Sequence, residues 1–241
     1  MPRWRRIVLP GMPLHITHRG NDREAIFRSE SDFAVYREIV LEASQRIECS
    51  VHAYALMTNH VHILLTPKRA TGAAQLMQII GCRYVRYLNG RYHRTGSRWE
   101  GRFKSSPVDS APYLLRCSRY IDLNPVRAGL VTRPELYAWS SYGHLAHGNS
   151  DDLITVHDAY IGLGNDAQSR RSAYRGLVED VLADRSTPAI RRAALAGTAL
   201  GTARFCTRLE AELARPVTRL AHGGDRRSNT FRAEREPRTT A

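Results

Sequence analysis

The stretch Thr58-Asn59-His60-Val61-His62-Ile63-Leu64-Leu65 decides how this chain is read. It is rich in β-branched and large apolar residues, holds no Gly or Pro, and is closed by Thr66-Pro67, so it predicts a β-strand. Side chains alternate between the two faces of a strand. His60 and His62 therefore emerge on one side, with Val61, Ile63 and Leu65 on the other. One face can seal a core while the other presents two imidazoles, which together can share a divalent ion. The bland alternative is a pair of half-exposed histidines on a sheet, and the residues downstream must choose between the two.

Working outward, Ser50 to Met57 predicts a second strand, joined to the first by a hairpin at Thr58-Asn59. Leu14 to Arg19 is a strand ended by Gly20-Asn21, and Arg102 to Asp109 is another. Asp32 to Ile47 carries apolar residues at helical spacing behind Ser31 as N-cap. Ala73 to Asn89 does the same, with Leu76, Met77, Ile80, Tyr84, Tyr87 and Leu88 as its buried stripe. Tyr113 to Leu123 is a third helix, stopped near Asn124 because Pro125 disfavours helical geometry in the residue before it. The order strand, helix, strand, strand, helix, strand is that of a split βαβ, ferredoxin-like α+β domain with an antiparallel sheet. Its central strands would be the first and the one bearing the histidines, both helices would cover one face, and the other face would be left for the third helix and a substrate. Residues 1–148 are expected to form this domain, 149–222 a basic helical extension (helices over 166–184, 187–196 and 199–213), and 223–241 a disordered basic tail.

Charge narrows the partner. Among 241 residues, 36 Lys and Arg stand against 23 Asp and Glu, a formal net charge of +13, and only Lys68 and Lys104 are lysines. Such a balance predicts attraction to a polyanion, and arginine, which binds phosphate bidentately and stacks on bases, points to nucleic acid. Cys49, Cys82, Cys117 and Cys206 form no Cys-x-x-Cys pair, which argues against a zinc ribbon or a disulfide framework. No signal peptide or membrane-length apolar run is evident, so a cytoplasmic protein with no membrane association is expected.

The third helix supplies a nucleophile. Tyr120 and Asn124 lie four residues apart, on one helical face where the helix reaches as far as Asn124. A phenol beside a metal-bound phosphodiester can attack phosphorus, join the protein to one DNA end and free a hydroxyl on the other. Asn124 is the matching neutral oxygen ligand. Tyr113, seven residues earlier, is the rival nucleophile and lacks an Asn four residues on.

Four separated motifs then resemble one family: His15-Ile16-Thr17-His18-Arg19-Gly20-Asn21, Met57 to His62, Trp99-Glu100-Gly101-Arg102-Phe103-Lys104, and Ser118 to Leu130 with its Tyr120-Ile121-Asp122-Leu123-Asn124-Pro125-Val126-Arg127. Over roughly residues 14–142 the chain is similar to the REP-associated tyrosine transposases, relatives of the single-tyrosine HUH, IS200-like transposases. The resemblance implies His60, His62 and Asn124 as metal ligands, Tyr120 as nucleophile, and Mg2+ or Mn2+ as the ion. It implies single-stranded DNA with palindromic REP-like hairpins as the partner, in a monomer or a homodimer. Arg19 and Asn21 are candidates for reading bases beside the hairpin. Arg83, Arg86, Arg91, Arg94, Arg98, Arg102 and Lys104 are candidates for its phosphates, and Trp99, Tyr92 and Phe103 for stacking on unpaired bases. His15 and His18 are taken to pack or to contact DNA rather than to bind the ion. The competing reading is a catalytically silent hairpin-binding protein of the same fold.

Overall fold

A computed structural model describes residues 6–109, 111–179 and 187–218. The strands are β1 (Leu14–Arg19), β2 (Cys49–Met57), β3 (His60–Pro67) and β4 (Lys104–Pro107), in one antiparallel sheet of order β2-β3-β1-β4. The helices are α1 (Glu30–Ile47), α2 (Gly72–Arg91), α3 (Ala111–Asp122), α4 (Asn124–Arg127), α5 (Asp158–Ile161), α6 (Ala167–Glu179), α7 (Thr187–Ala196) and α8 (Ala203–Leu213). This is the split βαβ α+β fold, with β1 and β3 central and a helical C-terminal region. The segments 180–186 and 219–241, which include the expected tail, lie outside the described residues.

Strand alternation divides the interior in two. Val61, Ile63 and Leu65 of β3, with Leu14 and Ile16 of β1, pack against Tyr36, Ile39 and Val40 of α1 and Leu76, Ile80 and Tyr84 of α2. Ile63 is wholly enclosed, so truncating it to Ala would cost about 2–5 kcal/mol. The opposite face, through Ala53, Ala55 and Leu64, meets Leu114, Cys117, Tyr120 and Ile121 of α3. That second cluster continues past residue 148 to Tyr174, Val178, Ile190 and Ala193, so α6 and α7 share a core with α3. β2 reverses parity once. A bulge at His52 lets Val51 face α1 and α2 while Ala53 and Ala55 face α3.

Two local readings need correction. The α1 start is set by Asp32, which accepts hydrogen bonds from the amides of Arg28 (2.7 Å) and Ser29 (3.0 Å), so the cap is Ser29 and not Ser31. The third helix does end just before Asn124, as expected, but Pro125 does not stop the chain's helical course. α3 breaks after Asp122 and a new turn begins at Asn124, where Pro125 falls in the first turn and its missing N–H costs nothing. The four cysteines are unpaired.

Asp122 anchors the C-terminal region to α3. Its buried carboxylate accepts hydrogen bonds from Ser141 Oγ (2.6 Å) and from Tyr174 Oη on α6 (2.7 Å). Burial pushes the carboxyl up to about 7, against those two bonds, whereas an unfolded Asp titrates near 4. Between about pH 4 and pH 7 the folded state holds the proton that the unfolded state has lost, so this group's contribution to stability falls as pH rises through that window. Thermal melts of wild type and Asp122→Asn across pH 4–8 should show the difference shifting in the variant's favour up to about pH 7 and levelling above it. A pH-independent difference would mean Asp122 is ionised throughout.

Candidate nucleic-acid cleavage site

On the open side of the sheet lies a cleft of ≈ 680 Å³. β3 contributes His60 and His62, β1 contributes Thr17 and Arg19, and β4 with its approach contributes Arg102 and Lys104. α3 and α4 contribute Tyr120, Asn124 and Arg127, and α7 closes the far side with Thr187, Arg191, Ala194 and Leu195. Tyr120, drawn from a helix 60 residues downstream in sequence, stands edge-on to His62 with ring centroids 5.9 Å apart. The His60 and His62 rings are 5.0 Å apart.

Each imidazole is held through Nδ1. His60 Nδ1 lies 2.7 Å from Asn59 Oδ1, so it donates there and carries the ring proton. His62 Nδ1 lies 2.9 Å from Nε2 of His15, which also stacks on it at 5.1 Å. When His62 donates in that pair, both Nε2 lone pairs are available to a ligand, the arrangement in which metal-binding histidines are usually held. Burial drives His60 down to about 4, helped by Arg19, and drives His62 well below its ordinary value, helped by His15 and His60. Both rings are therefore neutral near pH 7, as ligation requires. Among the described residues no three His, Cys, Asp or Glu side chains are grouped to hold an ion. An ion held by His60 and His62 would need its remaining ligands from Asn124, from the substrate or from water.

Asn124 fits that role with a condition. Its Oδ1 accepts from Arg127 Nη2 (3.0 Å), leaving one lone pair, and its buried Nδ2 has no hydrogen-bond partner. Arg127 also donates to the Tyr120 carbonyl oxygen, and its guanidinium carbon sits 4.3 Å from the centre of the phenol ring. One cation thus clamps both the phenol and the amide. Burial raises the Tyr120 hydroxyl above its ordinary value, while Arg127 and Arg191 pull it down.

The remaining candidates divide by location. Tyr113 lines a different cavity beside α7, under Arg116, and does not reach the histidine pair. Asn21 sits in the exposed turn after β1, with its amide on Asp22, and does not line the cleft. Arg83 and Arg86 lie on α2, across the sheet from the cleft, and Arg83 pairs with Glu42. Arg91 pairs with Asp32, and Arg94 and Arg98 with Glu24. Trp99 cannot offer a face for stacking on a base. It is 8 % exposed and stacked on His18 at 4.0 Å, because the loop before β4 folds its indole into the α1–α2 core. Phe103 is likewise buried, under the Arg6 guanidinium, and Tyr92 spends its hydroxyl on Asp32. Asn59, Arg127 and Arg191 carried no role in the sequence, and His15, expected to pack or to contact DNA, packs on His62. His15, Asn59 and Arg127 sit inside the quoted motifs, and the even spacing of His15, Thr17 and Arg19 along β1 was the available signal for the contact of His15 with His62.

Residues 9–124 match the family model described as "Transposase IS200 like". Through this stretch, a little under half of the chain, the protein is similar to the IS200-like transposases. No curated protein matches the chain. Among solved structures, a REP-associated tyrosine transposase bound to a REP hairpin shares the fold, with 16% identity and a TM-score of 0.53 over 65% of this chain and 93% of that one. A candidate transposase from Deinococcus radiodurans R1 is 16% identical, with a TM-score of 0.35 over 54% of this chain and 92% of that one. The transposase match ends at Asn124, so it takes in every cleft residue from β1 to Asn124 and leaves out Arg127 and α7. Among the described residues no helix is long and apolar enough to cross a membrane.

The burial of the cleft imidazoles has a direct readout. In histidine ring NMR of the free protein, His18 and His60 should titrate near pH 4, and midpoints near the ordinary 6.5 would show the site to be open to water.

Proposed function

We propose that this protein is a metal-dependent tyrosine strand transferase that cuts and rejoins single-stranded DNA beside a hairpin. The observation that carries the reading is the meeting of Tyr120 with His60, His62 and Asn124 in one cleft whose rim is cationic. The fold it shares with a protein solved on a REP hairpin supports a hairpin as the substrate class.

His60 and His62 through Nε2, and Asn124 through the second lone pair of Oδ1, would hold the ion. When bound, a divalent ion supplies charge to a non-bridging phosphate oxygen and orients the diester for in-line displacement. Two imidazoles favour Mn2+ over Mg2+ by affinity, so Mn2+ should act at the lower concentration. Tyr120 Oη attacks phosphorus, the new Oη–P bond forms as a sugar O–P bond breaks, and the displaced oxygen takes up a proton while the phenolic proton leaves to solvent. One phosphodiester replaces another, so no nucleotide cofactor is needed, and attack by a sugar hydroxyl on the tyrosyl phosphodiester restores Tyr120. Arg127 keeps the phenol and the Asn124 amide in register and favours the ionised phenol electrostatically. Arg19, Arg102 and Lys104 seat the backbone without reading sequence.

The test is incubation with a labelled hairpin carrying single-stranded flanks and Mn2+ or Mg2+, followed by a denaturing gel. A covalent adduct should form, vanish in Tyr120→Phe, fall by at least about 10²-fold in His60→Ala, and persist in Tyr113→Phe. Cleavage that survives Tyr120→Phe would indicate a water nucleophile, and hairpin binding with no adduct would leave the silent DNA-binding reading. Chelation should abolish the adduct while weakening hairpin binding much less, because phosphate contacts dominate affinity; equal loss of both would contradict that division.

A further inference from the structure

α7 lies outside the residues that match the transposase family, yet it forms one side of the cleft. It is not loosely attached. Ile190 and Ala193 are buried in the core shared with α3, and Ser106 Oγ of β4 donates to the Ala193 carbonyl at 2.9 Å. This anchorage fixes which face of α7 looks across at the histidine pair. That face presents Arg191, Ala194 and Leu195, and Leu195 is 52 % exposed although large and apolar. Arg191 is exposed and near enough to Tyr120 to act on its hydroxyl electrostatically. Arg19, Arg102 and Lys104 line the same cleft, and among the described residues that line it Glu100 is the one carboxylate. An apolar side chain next to a guanidinium, facing a basic strand surface, matches a chain that alternates bases with phosphates.

We propose that α7 is the second wall of a channel for the unpaired DNA strand that enters the site, with Arg191 on a backbone phosphate and Leu195 against the face of an unpaired base. The C-terminal region then takes part in substrate binding directly, in addition to its packing on α3. This inference rests on the strand-transferase reading for its choice of occupant, and it is the apolar Leu195 beside Arg191, not the charge, that favours a nucleic-acid strand over an acidic protein surface.

The test uses the full chain and a fluorescein-labelled oligothymidylate of about twenty nucleotides, long enough to cross the cleft, with binding followed by anisotropy over a salt series. Arg191→Gln should bind about threefold to tenfold more weakly at physiological salt and lower the slope of log Kd against log salt by about one, while Arg191→Lys keeps the wild-type slope. Leu195→Ser should weaken binding with the slope unchanged. Arg46→Gln, an exposed cation on α1 across the sheet, should match wild type. Both α7 positions are at the surface, so unchanged melting curves are expected and serve as the check on folding. Wild-type slope and affinity in Arg191→Gln, or an unchanged affinity in Leu195→Ser, would overturn the proposal. Adduct formation by the wild type is scored separately. An adduct without an Arg191 effect removes the channel wall alone, whereas an Arg191 effect without an adduct removes the strand-transferase chemistry and keeps the wall.

Discussion

Side-chain alternation along β3 is the constraint on which the molecule depends. Because β3 is central, Val61, Ile63 and Leu65 are committed to the α1–α2 core, and the same backbone geometry forces His60 and His62 to the opposite face. A one-residue slip in register would bury the imidazoles among aliphatic side chains and expose the core residues. The hairpin at Thr58-Asn59 and pairing on both edges, from Arg19↔His60 on one side to Met57↔His60 on the other, hold that register. The chemistry proposed for the cleft therefore shares its physical basis with the stability of the sheet.

The α3 helix meets the same face for ordinary packing reasons. Leu114, Cys117 and Ile121 bury against Ala53 and Ala55, small residues on β2 that allow close approach, and against Leu64 of β3. Tyr120 is carried along at the edge of that contact, where its ring rests on His62, His15 and Arg127 while its cleft side stays open. Asp122, Ser141 and Tyr174 then tie the end of α3 to the chain beyond it. Each metal-ligand candidate thus has a second polar partner: His15 behind His62, Asn59 behind His60, Arg127 behind Asn124. Such outer contacts set tautomer and ring orientation, and metal sites usually lose affinity without them.

Much of this was legible in the sequence because it is local. The period-two pattern around His62, the hairpin, the amphipathic α1 and α2 and the four-residue spacing of Tyr120 and Asn124 all follow from rules acting over a few residues. What escaped depends on distant partners. Trp99 is an aromatic in a basic loop by sequence and a core residue in the fold, because His18, Tyr36 and Tyr84 offer it a pocket that no local pattern encodes. The arginines at 83, 91, 94 and 98 read as a basic patch, but Glu42, Asp32 and Glu24 come from α1 and the turn before it to meet them. The bulge at His52 follows from tertiary contacts of its ring with Thr66 Oγ1 and the Thr155 carbonyl. The placement of α7 over the cleft was invisible for the same reason.

The central claim is that folding delivers one particular phenol to the phosphodiester held beside two imidazoles. It is tested most directly by isolating the covalent protein–DNA product, digesting both components and locating the modified residue by mass spectrometry. The account predicts a single nucleotide adduct on Tyr120. An adduct on Tyr113 or on any other side chain would contradict it.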